Sequence, residues 1–529
     1  MLILELFALI LVLFILKFYY DYFTRSTPYP GPLPLPIIGN LHQYYYHSND
    51  FLSWLRHLSS KYGDVFELYF GTCKHLMISD PKIVERIMSP VKDSNYFVRI
   101  TAKDGLDELK KGKNGLLFNV DFNSWSYIRK FFKVIMAPNN LNLVTVTDVF
   151  HDLEKFWNSL IDDYGQFLND EQEKSIEINF VPWSRKFFAE TIMYLTASKK
   201  LDLLSNHYNK ISKNLNNFQN SKNEEFFDRL ILASDCVQYY IVVPPSIRNF
   251  PFIKFYTNYL YKNLTWTRNY ACDLVRENRK IIESIDDKEN LPFDILTMLL
   301  TANTPKDITN GISNDNNNEK PMTDEEVADN MMEILSEGID SPANTLSFIV
   351  YYVGNNMEIE QFIIDEIKQV FGLSSNFKIT YEDLSKLEYI EAVIKEALRI
   401  RPVTATISRF SENSDQIDEY KIPPSTQLAI NVMGLHMNPN YWKNPNEFNP
   451  SRFLSNNNKS ETFNKNAFMY FGGGLRMCPG KNLAMTQLKM LIVLLYSKYK
   501  FRIITKEPSL QNNVNTQLTE LKIKINRRK

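Results

Sequence analysis

The sequence predicts a mainly α-helical protein with small β-sheets, built as a single large domain on an N-terminal membrane anchor. Three observations carry this. They are an unbroken apolar run at the start, a proline-rich stretch just after it, and helical spacing of apolar residues through most of the remaining chain. The implied division is anchor 1–20, hinge 21–40 and body 41–529.

The anchor comes first. Residues 6–16 are all apolar, with Glu5 before them and Lys17, Phe18, Tyr19 and Tyr20 after them. With Lys17 reaching toward water and the aromatics at headgroup level, residues 1–20 are about long enough to span a bilayer. A cleaved signal peptide would carry basic residues ahead of the run and small residues behind it. Here the front is acidic and the rear bulky, which predicts an uncleaved anchor. Lys17 and Arg25 follow the run and no basic residue precedes it, an arrangement that holds the body on the cytosolic side. A shallow, monotopic insertion is the alternative, because the run is short.

The hinge is TPYPGPLPLPIIGN, residues 27–40, and its five prolines predict a stiff, extended spacer. Beyond it, 64–70 and 75–79, broken by Gly71, read as a hairpin leading into a helix at Asp80. Residues 144–164, 266–285 and 359–371 carry helical spacing. The polar tracts 303–320 and 455–466 predict exposed loops within one domain.

Thr323 with Glu326 three residues on is a capping box, and apolar positions recur from Val327 to Val353. A helix of about 30 residues, roughly 45 Å long, is expected there. Inside it lies SEGIDSP, residues 336–342. Pro342 has no N–H for the Gly338 carbonyl, so the helix is expected to open at this turn and leave that carbonyl free.

With 60 basic and 61 acidic residues, net charge is −1, so composition points to no nucleic-acid partner. The four cysteines, Cys73, Cys236, Cys272 and Cys478, are far apart and form no C-x-x-C, which argues against a sequence-local zinc site. Their spacing leaves disulfides open, while their scarcity fits a reducing compartment.

Cys478 sits in FGGGLRMCPG, residues 471–480. Glycines beside a cysteine let backbone amides approach a sulfur anion, and Arg476 is expected to lower the thiol pKa. The full pattern F-x-x-G-x-R-x-C-x-G resembles the haem-binding loop of cytochrome P-450 enzymes. Glu396–Arg399 is similar to the family's E-x-x-R helix, and Phe448–Phe453 to its F-x-P-x-R-F element. Trp125 and Arg129 resemble its W-x-x-x-R helix, and the anchor and hinge resemble those of its microsomal members.

The resemblance covers nearly the whole chain and implies a cytochrome P-450 fold, with 41–529 as the haem-thiolate catalytic domain. It implies heme b with Cys478 as the iron ligand and Phe471 shielding the sulfur. Trp125, Arg129, Arg476 and, as a further candidate, Arg409 would meet the haem propionates. Glu396, Arg399 and Arg452 would form a buried bracing triad. Phe118 and residues 403–406 would line a pocket whose character suits only a lipophilic small molecule.

The family pattern in the long helix is [AG]-G-x-[DE]-T, matched here by Gly338 and Asp340, with Ser341 in place of threonine. The resemblance makes Asp340 and Ser341 the proton-handling residues, with a salt-bridged or helix-end carboxylate as the plainer role for Asp340. Glu337 replaces a small residue and lies four before Ser341, on the same helix face. Its plain role is a carboxylate bonded to Ser341. One branch of the family, the fatty-acid ω-hydroxylases, instead suggests an ester to the haem.

The activity implied is insertion of one oxygen atom from O2 into a lipid, sterol, terpenoid or xenobiotic. Electrons would come from NADPH–cytochrome P-450 reductase, with cytochrome b5 as an optional second donor. No nucleotide-binding fingerprint occurs in this chain, which fits a separate donor. The location implied is the endoplasmic reticulum membrane, with the domain facing the cytosol. The alternatives are a haem-thiolate isomerase or dehydratase of hydroperoxides and a non-catalytic haem-binding membrane protein.

Overall fold

The computed structural model describes residues 2–47, 50–89, 95–99, 103–111, 115–138, 142–167, 173–212, 221–243, 245–308, 320–372, 377–454, 464–512 and 516–528. Most of the two polar tracts, 309–319 and 455–463, lies outside the described residues.

Leu2–Phe23 is one helix of 22 residues. At 1.5 Å per residue it is about 33 Å long, close to the thickness of a bilayer's hydrocarbon core. Its stretch Ile3–Phe23 has mean hydropathy 2.3 and no share of it is buried against the body. The helix is long and apolar enough to cross a membrane.

The hinge departs from the expected spacer. Proline leaves backbone carbonyls without a local donor, and here the body takes them up. Glu67 donates its N–H to the Pro30 carbonyl at 2.8 Å. Asn40 Nδ2 donates to the carbonyls of Pro32 and Leu33, both at 3.1 Å. Arg25 Nε donates to Glu67 Oε2 at 3.0 Å, and the Glu67 carboxylate is buried. The hinge is docked onto the first sheet.

That sheet has the order Val65–Phe70, Cys73–Ile78, Thr426–Asn431, Thr406–Ser411. The first two strands form the expected hairpin, and Asp80 caps the helix Pro81–Ile87 with its carboxylate. Cys73–Ile78 runs parallel to Thr426–Asn431 and the other pairings are antiparallel. A second, antiparallel sheet joins Gln166–Phe167, Lys174–Asn179, Lys522–Arg527 and Tyr499–Ile503. The remainder of the body is mainly helical.

Two of the expected helices appear within two residues, as Leu143–Tyr164 and Met357–Phe371. The third is far longer than its periodic part, running Pro251–Ser284 with proline in its first turn. Its N-terminal half carries exposed Phe252, Phe255 and Tyr256. These break the one-sided apolar pattern that marks a surface helix.

The long helix spans Asp324–Gly354, 31 residues, and begins at the Thr323–Glu326 capping box. It is unbroken through Pro342, so the expected opening does not occur. Three hydroxyls bond carbonyls around the turn, none of them the Gly338 carbonyl that Pro342 leaves without its N–H. Ser341 Oγ donates to the Glu337 carbonyl at 2.5 Å, Ser184 Oγ to the Ala343 carbonyl at 3.0 Å and Thr345 Oγ1 to the Ser341 carbonyl at 2.8 Å. Gly338 has a packing reason: a Cβ there would sit 2.9 Å from Ile192 Cγ1 on the neighbouring helix Phe180–Ala197. Residues Val327, Met331, Leu335 and Ile339 belong to one large apolar cluster, and Ala343, Leu346, Ile349 and Val353 to another. SEGIDSP is where the helix crosses between the two cores.

Candidate active site

The loop 471–480 is shaped by glycine. Gly472 and Gly474 have φ of 71° and 64°, backbone that favours glycine. A Cβ on Gly474 would lie 2.3 Å from the Met88 carbonyl oxygen. Gly474→Ala is therefore expected to cost at least about 2 kcal/mol from the left-handed backbone and the backbone clash together. Denaturant melts and haem content per chain would both register it.

The loop turns back so that the Cys478 N–H donates to the Phe471 carbonyl at 3.0 Å. The 18-residue helix Lys481–Lys498 starts directly after Gly480, placing the thiol at a helix N-terminus, where a thiolate is favoured. Burial nevertheless pushes the Cys478 thiol up. The Gly480 N–H, Arg99 and Arg129 pull against that, and Glu337 adds to it.

Arg476 does not act on the sulfur as expected. Its guanidinium turns away, donating to the Asn119 carbonyl at 2.9 Å and more loosely to those of Leu117 and Leu116. It lies 4.8 Å from the Phe97 ring centre and 5.2 Å from that of Trp125. The cations that act on the thiol are Arg99, which donates to the Arg476 carbonyl, and Arg129, which donates to the Met477 carbonyl at 2.9 Å. Arg409 approaches Met88 Sδ and the Gly473 carbonyl.

Four guanidiniums thus gather around one loop. Burial, with the neighbouring arginines adding to it, pulls Arg476 down to about 8 and Arg409 down to about 9. An arginine stays charged in proteins, so the cluster is a field that anions would relieve. Arg99 Nε and Arg476 Nε are buried without a hydrogen-bond partner. A thiol at a helix N-terminus, the ring pair of Phe97 and Trp125, and guanidinium N–H groups without partners together fit an iron porphyrin with its two carboxylates.

Facing this loop is the seam of the long helix. Asp340 accepts from Arg185 Nε at 2.8 Å and from Gln517 Nε2 at 3.1 Å, so it is a salt-bridged carboxylate. The Ser341 hydroxyl meets the Glu337 backbone carbonyl rather than its carboxylate. Glu333, one turn earlier, accepts the N–H groups of Leu116 and Leu117 at 2.8 Å each. That stretch ends at Phe118 and supplies the carbonyls that hold Arg476, so one carboxylate ties helix, pocket loop and arginine together. Val403 is half-buried against the core and Thr404 is exposed.

The bracing triad is present. Glu396 takes Arg399 through both oxygens at 2.7 Å, and Arg452 Nε at 3.2 Å. Arg399 also donates to the carbonyls of His436, Pro445 and Glu447.

Sequence reasoning missed Arg99 and Glu333. Arg99 belongs to no motif and is recognisable only in space. Glu333 had a signal, an acid inside an apolar helix stripe and four residues before Glu337. All four cysteines are free thiols, and no group of three or more metal-ligating side chains occurs among the described residues.

A family model described as Cytochrome P450 matches residues 29–527. Cytochrome P450 3A14 of Cavia porcellus is 26% identical over 480 residues, covering 90% of this chain and 86% of that protein. Probable cytochrome P450 516B1 of Dictyostelium discoideum is 25% identical over 502 residues, covering 92% and 91%. Among solved structures, the heme domain of cytochrome P450DA superposes with a TM-score of 0.74 at 17% identity, covering 95% of this chain and 98% of that one.

Proposed function

This chain belongs to the cytochrome P450 family and is a haem-thiolate monooxygenase, and from that premise we propose that it inserts one oxygen atom from O2 into a lipophilic small molecule, using electrons from a separate NADPH-dependent reductase. The observation that carries this reading is the facing of Cys478, with Arg99 and Arg129 acting on its thiol, and the polar seam of the long helix.

In this reading Cys478 supplies the thiolate, Phe471 covers the sulfur, and Trp125, Arg129, Arg409 and Arg476 hold the porphyrin carboxylates with Arg99. The bound haem supplies oxygen activation, its thiolate donation favouring O–O cleavage. The Glu396 triad keeps the segment before the haem loop rigid, so the sulfur stays at a fixed height. Asp340 is only partly buried, its side chain 23% exposed, and takes protons from water at the surface. Ser341 holds its hydroxyl on the helix backbone beside that route. Phe118 and residues 403–406 shape the substrate pocket, which suits fatty acids, sterols or terpenoids.

Residues 1–20 anchor the protein in the endoplasmic reticulum membrane, 21–40 form the hinge, and 41–529 form the catalytic domain on the cytosolic face. Cytochrome b5 would serve as an optional second electron donor. The reduced protein is expected to give a thiolate-type carbon monoxide spectrum and, with added reductase, NADPH-dependent oxygen uptake. A binding-spectrum screen of fatty acids, sterols and terpenoids would then identify the substrate class. Hydroperoxide consumption without any NADPH-dependent uptake would move the protein to the isomerase and dehydratase class.

A further inference from the structure

The seam of the long helix carries two carboxyls that the structure treats differently. Both oxygens of Asp340 are engaged, one by Arg185 and one by Gln517. The Ser341 hydroxyl proton is committed to a backbone carbonyl. The Glu337 carboxyl makes no hydrogen bond or ion pair among the described residues. It lies on the side of the helix that faces Cys478, close enough for its charge to act on the thiol. Asp340 is three residues further on, a helix neighbour of Glu337.

We propose that Glu337 is the immediate proton donor for oxygen reduction at this site, with Asp340 as the surface-side station that reloads it. The proposal rests on the monooxygenase reading. For each oxygen atom inserted, O2 takes two electrons from the reductase and two protons. One oxygen atom enters the substrate and the other leaves as water. Each proton departs as the O–H bond on a Glu337 Oε breaks, and the carboxylate is protonated again from water by way of Asp340, so the residue ends unchanged.

The surroundings suit the task. Glu333 and Asp340 on the same helix, Arg99 beside the haem loop and Cys478 within it are the charged groups that face Glu337. Burial lifts its carboxyl to about 7, with Glu333 and Asp340 pushing the same way and Arg99 opposing. A general acid works best with a pKa near the working pH.

The test uses holoprotein reconstituted with reductase, with lauric acid as the lipophilic probe, comparing wild type, Glu337→Gln, Asp340→Asn and the double variant. Glu337→Gln is expected to lower water-forming oxygen uptake about 10²-fold, the scale of a lost general acid, with the remaining oxygen released mainly as peroxide. Asp340→Asn should lose less. Because the two act in series, the double variant should match Glu337→Gln rather than multiply the losses.

A readout independent of turnover is the infrared band of a protonated carboxyl. It should be present in the holoprotein at about pH 6, fade as pH rises through about 7, vanish in Glu337→Gln and survive in Asp340→Asn. Acidic organic solvent should release the haem freely. Haem that stays attached would mean an esterified Glu337 and would overturn the proposal. So would wild-type uptake and peroxide release in Glu337→Gln. A thiolate-type carbon monoxide spectrum in every variant keeps these failures apart from failure of the monooxygenase reading, which its absence in the wild type would bring down together with the proposal.

Discussion

Cys478→Ala is expected to leave a folded protein with no thiolate-type carbon monoxide spectrum and no NADPH-dependent oxygen uptake above background. The loss should be complete, because no other sulfur can stand in. Cys73 is exposed at the turn of the hairpin, Cys236 is fully buried in the helix Lys222–Val242, and Cys272 sits in Pro251–Ser284. The fold should survive, since the Cys478 side chain lies on a loop shaped by Gly472 and Gly474 and by the carbonyl contacts of Arg99 and Arg129, none of which needs the thiol. Far-ultraviolet circular dichroism should therefore match wild type while the haem absorption changes. A thiolate-type spectrum retained in Cys478→Ala would show that the ligand had been misassigned.

Glu396→Ala should be the most damaging single change to stability. It removes the carboxylate from between Arg399 and Arg452, both of which remain buried. Breaking a buried pair by deleting one partner costs about 3–5 kcal/mol, against a total stability for native proteins of about 5–15 kcal/mol. Most of the expressed chain should be insoluble or haem-free, and the remainder should unfold at markedly lower denaturant. Glu396→Gln keeps an acceptor for the Asn449 N–H, which reaches Glu396 Oε1 at 2.9 Å, and should lose less. Arg399→Lys should resemble Glu396→Ala, because an ammonium cannot match the bidentate bond and serve three carbonyls at once. A denaturation midpoint for Glu396→Ala within error of wild type would show that the triad is not a brace.

The features legible in the sequence were those that depend on fixed local spacing. The hairpin before Asp80, the Thr323–Glu326 capping box and the E-x-x-R pair are each written within a few residues of chain, and each appears where its spacing put it. The features that were not legible depend on groups arriving from elsewhere in the chain. The guanidinium of Arg476 is drawn off by carbonyls more than 350 residues upstream, so its sequence distance from Cys478 said nothing about its aim. The helix runs unbroken through Pro342, held on both sides by the two cores that its apolar residues enter. Arg99 has no motif at all, and its place in the site exists only once the loop 471–480 folds over it.

The docked hinge would alter how the protein moves on the membrane proposed for its anchor. Pro30, Pro32 and Leu33 are bonded to the first sheet, and Arg25 is locked on Glu67, so the chain between anchor and domain has no slack. With residues 1–20 in a bilayer, as proposed, such a body would turn freely about the bilayer normal but keep its tilt, like a rudder on its post. A lipophilic compound diffusing in that bilayer would then meet the same edge of the enzyme each time, and uptake would become a search in two dimensions with a fixed landing side.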